Sequence, residues 1–139
     1  MSNNFPKERI NLLKEAGYSQ KAINLYRDRV NVGIIDKPDV AFVYEGFCGD
    51  SIQLYLKIQG DVIEDAKFQY LGCLGSATCG SMMTKLVKDK TLEEAKEISE
   101  KDLLVALDGL PSDERHCAEL AIKTLHKTLR KYEKNLHSR

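Results

Sequence analysis

The segment Ser51–Gln59 constrains the fold more than any other. Ile52, Leu54, Leu56 and Ile58 alternate with Gln53, Tyr55 and Lys57. Successive side chains of an extended chain point to opposite faces, so this order predicts a strand with one buried and one solvated face. Gly60-Asp61 then supplies a turn, and Val62–Leu71 resumes the pattern with Ala66, Phe68 and Tyr70. Upstream, Val40–Tyr44 is rich in β-branched and aromatic residues. Connections this short suit antiparallel neighbours, because a parallel pair needs a crossover of about a dozen residues. The three runs therefore predict an antiparallel meander.

A sheet with one apolar face must be covered. The period changes after Gly72, and Ser76–Val87 reads as a helix carrying Met82, Met83, Leu86 and Val87. Thr91-Leu92-Glu93-Glu94 is a capping-box pattern, Ser99 caps another helix ending near Gly109, and Pro111 and Ser112 lead into the longest one. Its inward stripe is Cys117, Leu120, Ala121, Leu125 and Leu129, which includes Leu129 in the core together with Tyr132. Before the strands, residues 6–16 are helical in spacing, with Pro6 suited to a first turn and Gly17 to a stop. Ser19 can cap a second short helix through Ala22, Ile23, Leu25 and Tyr26, and Asn31-Val32-Gly33 reads as connecting loop. The expected fold is α+β: a three-stranded antiparallel sheet with helices packed on one face and an extra N-terminal helix. At 139 residues the chain suits one core, divided here into a helical extension (1–17) and a single domain (18–139).

Lys+Arg and Asp+Glu both number 21, so the formal net charge is zero. That balance lacks the basic footprint of a nucleic-acid binder. No apolar run reaches the roughly 18–20 residues that span a bilayer, so no membrane partner is expected. Met1–Lys14 lacks the apolar region of a secretory signal, and a cytoplasmic location is expected. In a reducing compartment four cysteines read as thiols or metal ligands rather than disulfides.

Three of those cysteines stand in loop or helix-start positions. In Phe47-Cys48-Gly49-Asp50 a thiolate and a carboxylate two residues apart can address one cation across a flexible glycine; a packed thiol and a locally bonded Asp is the plainer alternative. In Gly72-Cys73-Leu74-Gly75-Ser76 the helix N-terminus should stabilise a thiolate and lower the pKa of Cys73, and Ser76 could donate a hydrogen bond to sulfide. In His116-Cys117, either side chain could turn toward a metal from the first helical turn, or Cys117 could belong to the core. Cys79 reads as a packing residue, His126 as solvated beside Glu119, Lys123 and Arg130, and His137 as part of a fraying tail. Together, Cys48, Cys73 and Cys117 with Asp50 or His116 suit zinc or an iron–sulfur cluster, both of which favour thiolates. A cysteine-nucleophile enzyme using Cys117 and His116 would need an oriented base and a third group, and none is evident, so no enzymatic turnover is expected.

The sequence resembles the IscU/NifU-type iron–sulfur cluster scaffolds. The likeness runs from Tyr18-Ser19-Gln20-Lys21 through Asn31-Val32-Gly33, Cys48-Gly49-Asp50, Ile63–Phe68, Gly72-Cys73 and Leu92–Ala95 to Leu110-Pro111 and His116-Cys117. It implies cluster ligation by Cys48, Cys73 and Cys117, with Asp50 or His116 as exchangeable fourth ligand. It also implies sulfur delivery as persulfide by a cysteine desulfurase, a transient 2Fe–2S cluster, and transfer to apo-proteins; zinc could occupy the cluster-free form. The rival is a zinc-dependent sulfur-transfer partner that stimulates a desulfurase. Such relatives carry an insertion before the third Cys and lack the preceding His, whereas this chain lacks the insertion and retains His116. Where bacterial members carry a Leu-Pro-Pro-Val-Lys chaperone-binding segment, this chain has Leu110-Pro111-Ser112-Asp113-Glu114. The acidic replacement predicts weak recognition by the chaperone pair. Whether the chain forms a homo-oligomer is left open.

Overall fold

The computed structural model describes residues 6–46 and 48–137. Residues 1–5 of the expected extension and Phe47 of the first cysteine motif lie outside them. Strands β1 (Val40–Glu45), β2 (Ser51–Gln59) and β3 (Val62–Leu71) form an antiparallel sheet in the order β1-β2-β3. Helices α1 (Lys7–Glu15) and α2 (Gln20–Arg27) precede it. Helices α3 (Leu74–Val87), α4 (Leu92–Lys96), α5 (Glu100–Ala106) and α6 (His116–His137) follow.

The alternation in β2 does what its period requires. Ile52, Leu54, Leu56 and Ile58 are buried while their neighbours in sequence are not. Leu54 pairs with Phe42 on one side and Phe68 on the other, and α3 and α6 cover this face. Gly80 on α3 lets helix and sheet approach closely, because a Cβ there would overlap the Phe68 ring. Leu125 and Leu129 of α6 are buried and Tyr132 packs against the core.

Thr91 and Ser99 form capping boxes with Glu94 and Asp102, and Ser19 accepts the Ala22 amide. Four local features depart from the sequence reading. Helix α3 begins at Leu74 rather than Ser76, which puts Cys73 in the N-cap position. A 3-10 turn, Ser112–Glu114, precedes α6. Asn31–Gly33 is more than a connection: the Gly33 amide donates to Phe68 O at 2.8 Å and the Phe68 amide to Asn31 O at 3.0 Å, so the loop extends the β3 edge. His126 is not simply solvated, because its Nε2 lies 3.2 Å from Ile98 O. Among the described residues, no helix is long and apolar enough to cross a membrane.

Candidate metal centre

The three cysteine motifs meet at the sheet end where Glu45, Ser51 and Leu71 align. Asp50 enters β2 there, and its carboxylate lies against the backbone of the β3–α3 junction. Gly72 permits this approach: its φ is +152°, and a Cβ would stand 2.6 Å from Asp50 Oδ2. The Ser76 hydroxyl donates to the same oxygen at 2.7 Å and the Cys73 amide at 3.4 Å. These donors hold the Asp50 carboxyl below its ordinary pKa, the Ser76 bond foremost, against the opposing effect of burial.

Cys73 and Cys117 face each other with their sulfurs 3.6 Å apart. Two thiolates about 2.3 Å from one tetrahedral metal stand about 3.8 Å apart, so the pair is already spaced for chelation. Asp50 Oδ2 is 3.5 Å from Cys73 Sγ, and Asp50, Cys73 and Cys117 could together hold a metal ion. On the other side of Asp50, Cys48 and His116 make a second such trio with it. Cys48 is exposed and opens onto a cleft of about 110 Å³ shared with Tyr44, His116, Glu119 and Lys123. The five candidate ligands Cys48, Asp50, Cys73, His116 and Cys117 are thus brought to one end of the sheet, in two donor groups that share Asp50. Cys79 is excluded from both: it is fully buried in the core, and burial pushes its thiol pKa far up.

The expected lowering of the Cys73 pKa does not occur. Burial raises it, and the Glu114 carboxylate, accepting the Cys73 S–H at 2.9 Å, raises it further by favouring the protonated thiol. The Ser76 amide works in the opposite direction and is outweighed. Cys117 is pushed far up, chiefly by burial. His116 Nε2 lies 3.7 Å from Cys117 Sγ, yet a buried thiol held protonated is a poor nucleophile. The pair suits metal binding, which removes the proton, better than covalent catalysis.

The profile of the NifU-like N terminal domain matches residues 17–138. The chain belongs to this family. An iron–sulfur cluster assembly scaffold protein, IscU 1, of Archaeoglobus fulgidus is 38% identical over 116 residues, covering 83% of this chain and 76% of that protein. The corresponding IscU of Aquifex aeolicus is 33% identical over 118 residues, covering 83% and 75%. The crystal structure of a putative iron–sulfur cluster assembly scaffold for the SUF system from Fervidobacterium islandicum superposes with a TM-score of 0.66 over 81% of this chain and 96% of that one. At 22% identity it bears on the fold alone.

Two residues at the centre escaped the sequence reading. Glu114 was given no role in the site, yet its Oε1 lies 2.9 Å from Cys73 Sγ and 3.9 Å from Cys117 Sγ. Tyr18 marked only where the family likeness begins, yet its hydroxyl donates to Glu114 Oε1 at 3.2 Å. The available signal was the spacing of Glu114 and Cys117, three residues apart across a helix start, which puts both side chains on one side of the chain.

Proposed function

We propose that this protein is an iron–sulfur cluster assembly scaffold. It accepts sulfur from a cysteine desulfurase, builds a 2Fe–2S cluster on Cys48, Cys73 and Cys117, and passes it to apo-proteins without turning over a small-molecule substrate. The observation that carries this reading is the facing pair Cys73–Cys117, 3.6 Å apart, beside an Asp50 that also meets Cys48 and His116. The scaffold names of its family relatives support it. Residues 1–17 act as an extension to the scaffold domain, 18–139.

Exposure divides the labour among the thiols. Cys48 is exposed in the cleft, Cys73 is half-buried and Cys117 is buried, so Cys48 is the thiol a large donor protein can reach. Its thiolate attacks the terminal sulfur of the donor's persulfide. The donor S–S bond breaks, its thiolate leaves, and a new S–S bond forms on Cys48. An external donor supplies two electrons to reduce each such sulfur to sulfide. The cluster is cargo, held by three soft thiolates and released at its weaker corner, Asp50 or His116. Zinc would use the same donors in the cluster-free protein. The acidic Ser112–Glu114 turn disfavours the bacterial chaperone pair, so transfer proceeds through direct contact with the acceptor.

The test is anaerobic reconstitution with desulfurase, cysteine, a reductant and iron(II), followed by absorption spectroscopy and metal analysis. Iron and sulfide in equal amounts with sulfide-to-iron charge-transfer bands are expected. Stoichiometric zinc that iron never displaces would favour the desulfurase-stimulating partner instead.

A further inference from the structure

We propose that Glu114 is an oxygen ligand that, with Cys73 and Cys117, captures iron(II) at the centre before sulfide arrives. This rests on the scaffold reading for the identity of the metal as cargo, and on the geometry of this chain for the ligand.

Glu114 Oε1 lies 2.9 Å from Cys73 Sγ and 3.9 Å from Cys117 Sγ, and those sulfurs are 3.6 Å apart. Around one tetrahedral ion, with bonds of about 2.3 Å to sulfur and 2.0–2.2 Å to oxygen, a sulfur and an oxygen stand roughly 3.5 Å apart. The observed separations straddle that value, so shifts of about half an ångström bring all three atoms to bonding distance of a common ion. Space for the oxygen is built into α3. Gly75 faces it, and a Cβ there would stand 2.7 Å from Glu114 Oε1 and 2.8 Å from Cys117 Sγ.

The carboxylate is also held in place from behind. Tyr18 donates to the same Oε1 at 3.2 Å. The chain around Tyr18 is fixed to the segment leading to Glu114. The Ser19 hydroxyl donates to Leu107 O at 2.5 Å, and Gly17 packs so closely on Pro111 that a Cβ would meet its Cγ at 3.3 Å. Tyr18 is therefore a positioning residue for Glu114. A lone divalent ion is stabilised by anionic ligands. Two thiolates and one carboxylate supply three negative charges, and a mixed oxygen and sulfur set suits borderline iron(II). When the ion binds, the Cys73 and Cys117 protons leave to solvent, and Asp50 Oδ2, 3.5 Å from Cys73 Sγ, can complete the fourth position.

The experiment is anaerobic titration of sulfide-free full-length protein with cobalt(II), a spectroscopic substitute for iron(II), repeated with iron(II) itself. Glu114→Gln keeps the shape and can still accept from Tyr18, so it isolates the charge and ligand. Its affinity for both ions is expected to fall at least about tenfold, with altered cobalt ligand-field bands. Tyr18→Phe leaves every ligand in place and is expected to weaken binding by about tenfold, as loss of an orienting partner does. Cys73→Ser serves as the reference for a lost ligand. Thermal melts of the ion-free variants identify any that fail to fold, in which case Tyr18→Phe decides. Affinity within twofold of wild type for the folded variants, with an unchanged cobalt spectrum, overturns the inference even if the wild type assembles clusters. Failure of the scaffold reading looks different: cobalt binds tightly through Glu114, but iron and sulfide yield no cluster.

Discussion

The two ends of the sheet are closed by different chemistry. At the β2–β3 turn the closure is backbone to backbone: Asp89 donates to Ile63 O at 2.7 Å, Ile63 to Lys90 O at 2.8 Å, and Leu92 to Asp61 O at 2.8 Å. At the other end a backbone bond still joins β1 to β2, the Gly46 amide donating to Asp50 O at 2.8 Å, but Asp50, the β3–α3 junction and the turn before α6 are joined by side chains: carboxylates, thiols, a serine and a tyrosine. The thiol and carboxylate contacts at the second end can each be exchanged for a metal bond. One end is therefore a fixed closure, while the other is a closure that a cation can replace.

The largest effect separating the ends should come from the thiols. Cys48→Ser, Cys73→Ser or Cys117→Ser is expected to abolish stable cluster assembly in reconstitution with iron, sulfide and desulfurase. Cys79→Ala, within the helix that Cys73 caps but buried in the core, should retain assembly and lose about 1 kcal/mol of stability in urea denaturation. Loss of assembly in folded Cys79→Ala would erase the distinction between core and site thiols.

Glycines sharpen the contrast next. Gly80→Ala forces a methyl into the Phe68 ring and should cost about 1–3 kcal/mol, as overpacking does. Gly75→Ala displaces Glu114 and Cys117, so its main expected result is a loss of cobalt(II) affinity larger than its loss of thermal stability. An equal pattern in the two variants would mean that the centre and the core are not separable.

The metal end should also respond to pH. Cys73 and Cys117 both have thiol pKa values raised above the ordinary value of 9.0, so both carry protons at neutral pH and must lose them to bind a metal. Apparent zinc or cobalt affinity is then expected to rise with pH, by about tenfold per unit for each proton released. Calorimetric titration in buffers of different ionisation enthalpy counts those protons; a pH-independent affinity would mean that the thiols are already ionised. The smallest effect belongs to the fixed end. Thr91→Ala breaks the capping box of α4 and should cost about 1 kcal/mol, with metal affinity unchanged.

Legibility in the sequence followed the same division. The period of β2, the Gly60 turn, the capping box at Thr91 and the cap at Ser99 are short-range signals, and each appears where the residues predicted it. The convergence of Cys48, Asp50, Cys73, His116 and Cys117 was anticipated from the family likeness and from ligand type. The part that was not legible depends on contacts between segments distant in the chain. Glu114 meets Cys73 and Tyr18 only because the turn before α6 folds over the start of α3. The direction of the Cys73 shift was misread for the same reason: the helix terminus is a local feature, whereas burial and the Glu114 carboxylate are tertiary and outweigh it. His126 found the Ile98 carbonyl through packing of α6 against the segment after α4, which no periodicity reveals.

Differential alkylation read by mass spectrometry tests the cluster-holding role of this sheet end most directly. Cluster-free and anaerobically reconstituted protein are pulsed with a thiol reagent under native conditions, and each cysteine is quantified. Cys48 should react fast without the cluster, Cys73 more slowly, and buried Cys117 and Cys79 hardly at all. With the cluster bound, Cys48 and Cys73 should both become protected, and on removal of iron by a chelator their reactivity should return. A reconstituted sample with full iron and sulfide content in which Cys48 still reacts at its cluster-free rate would contradict the assignment.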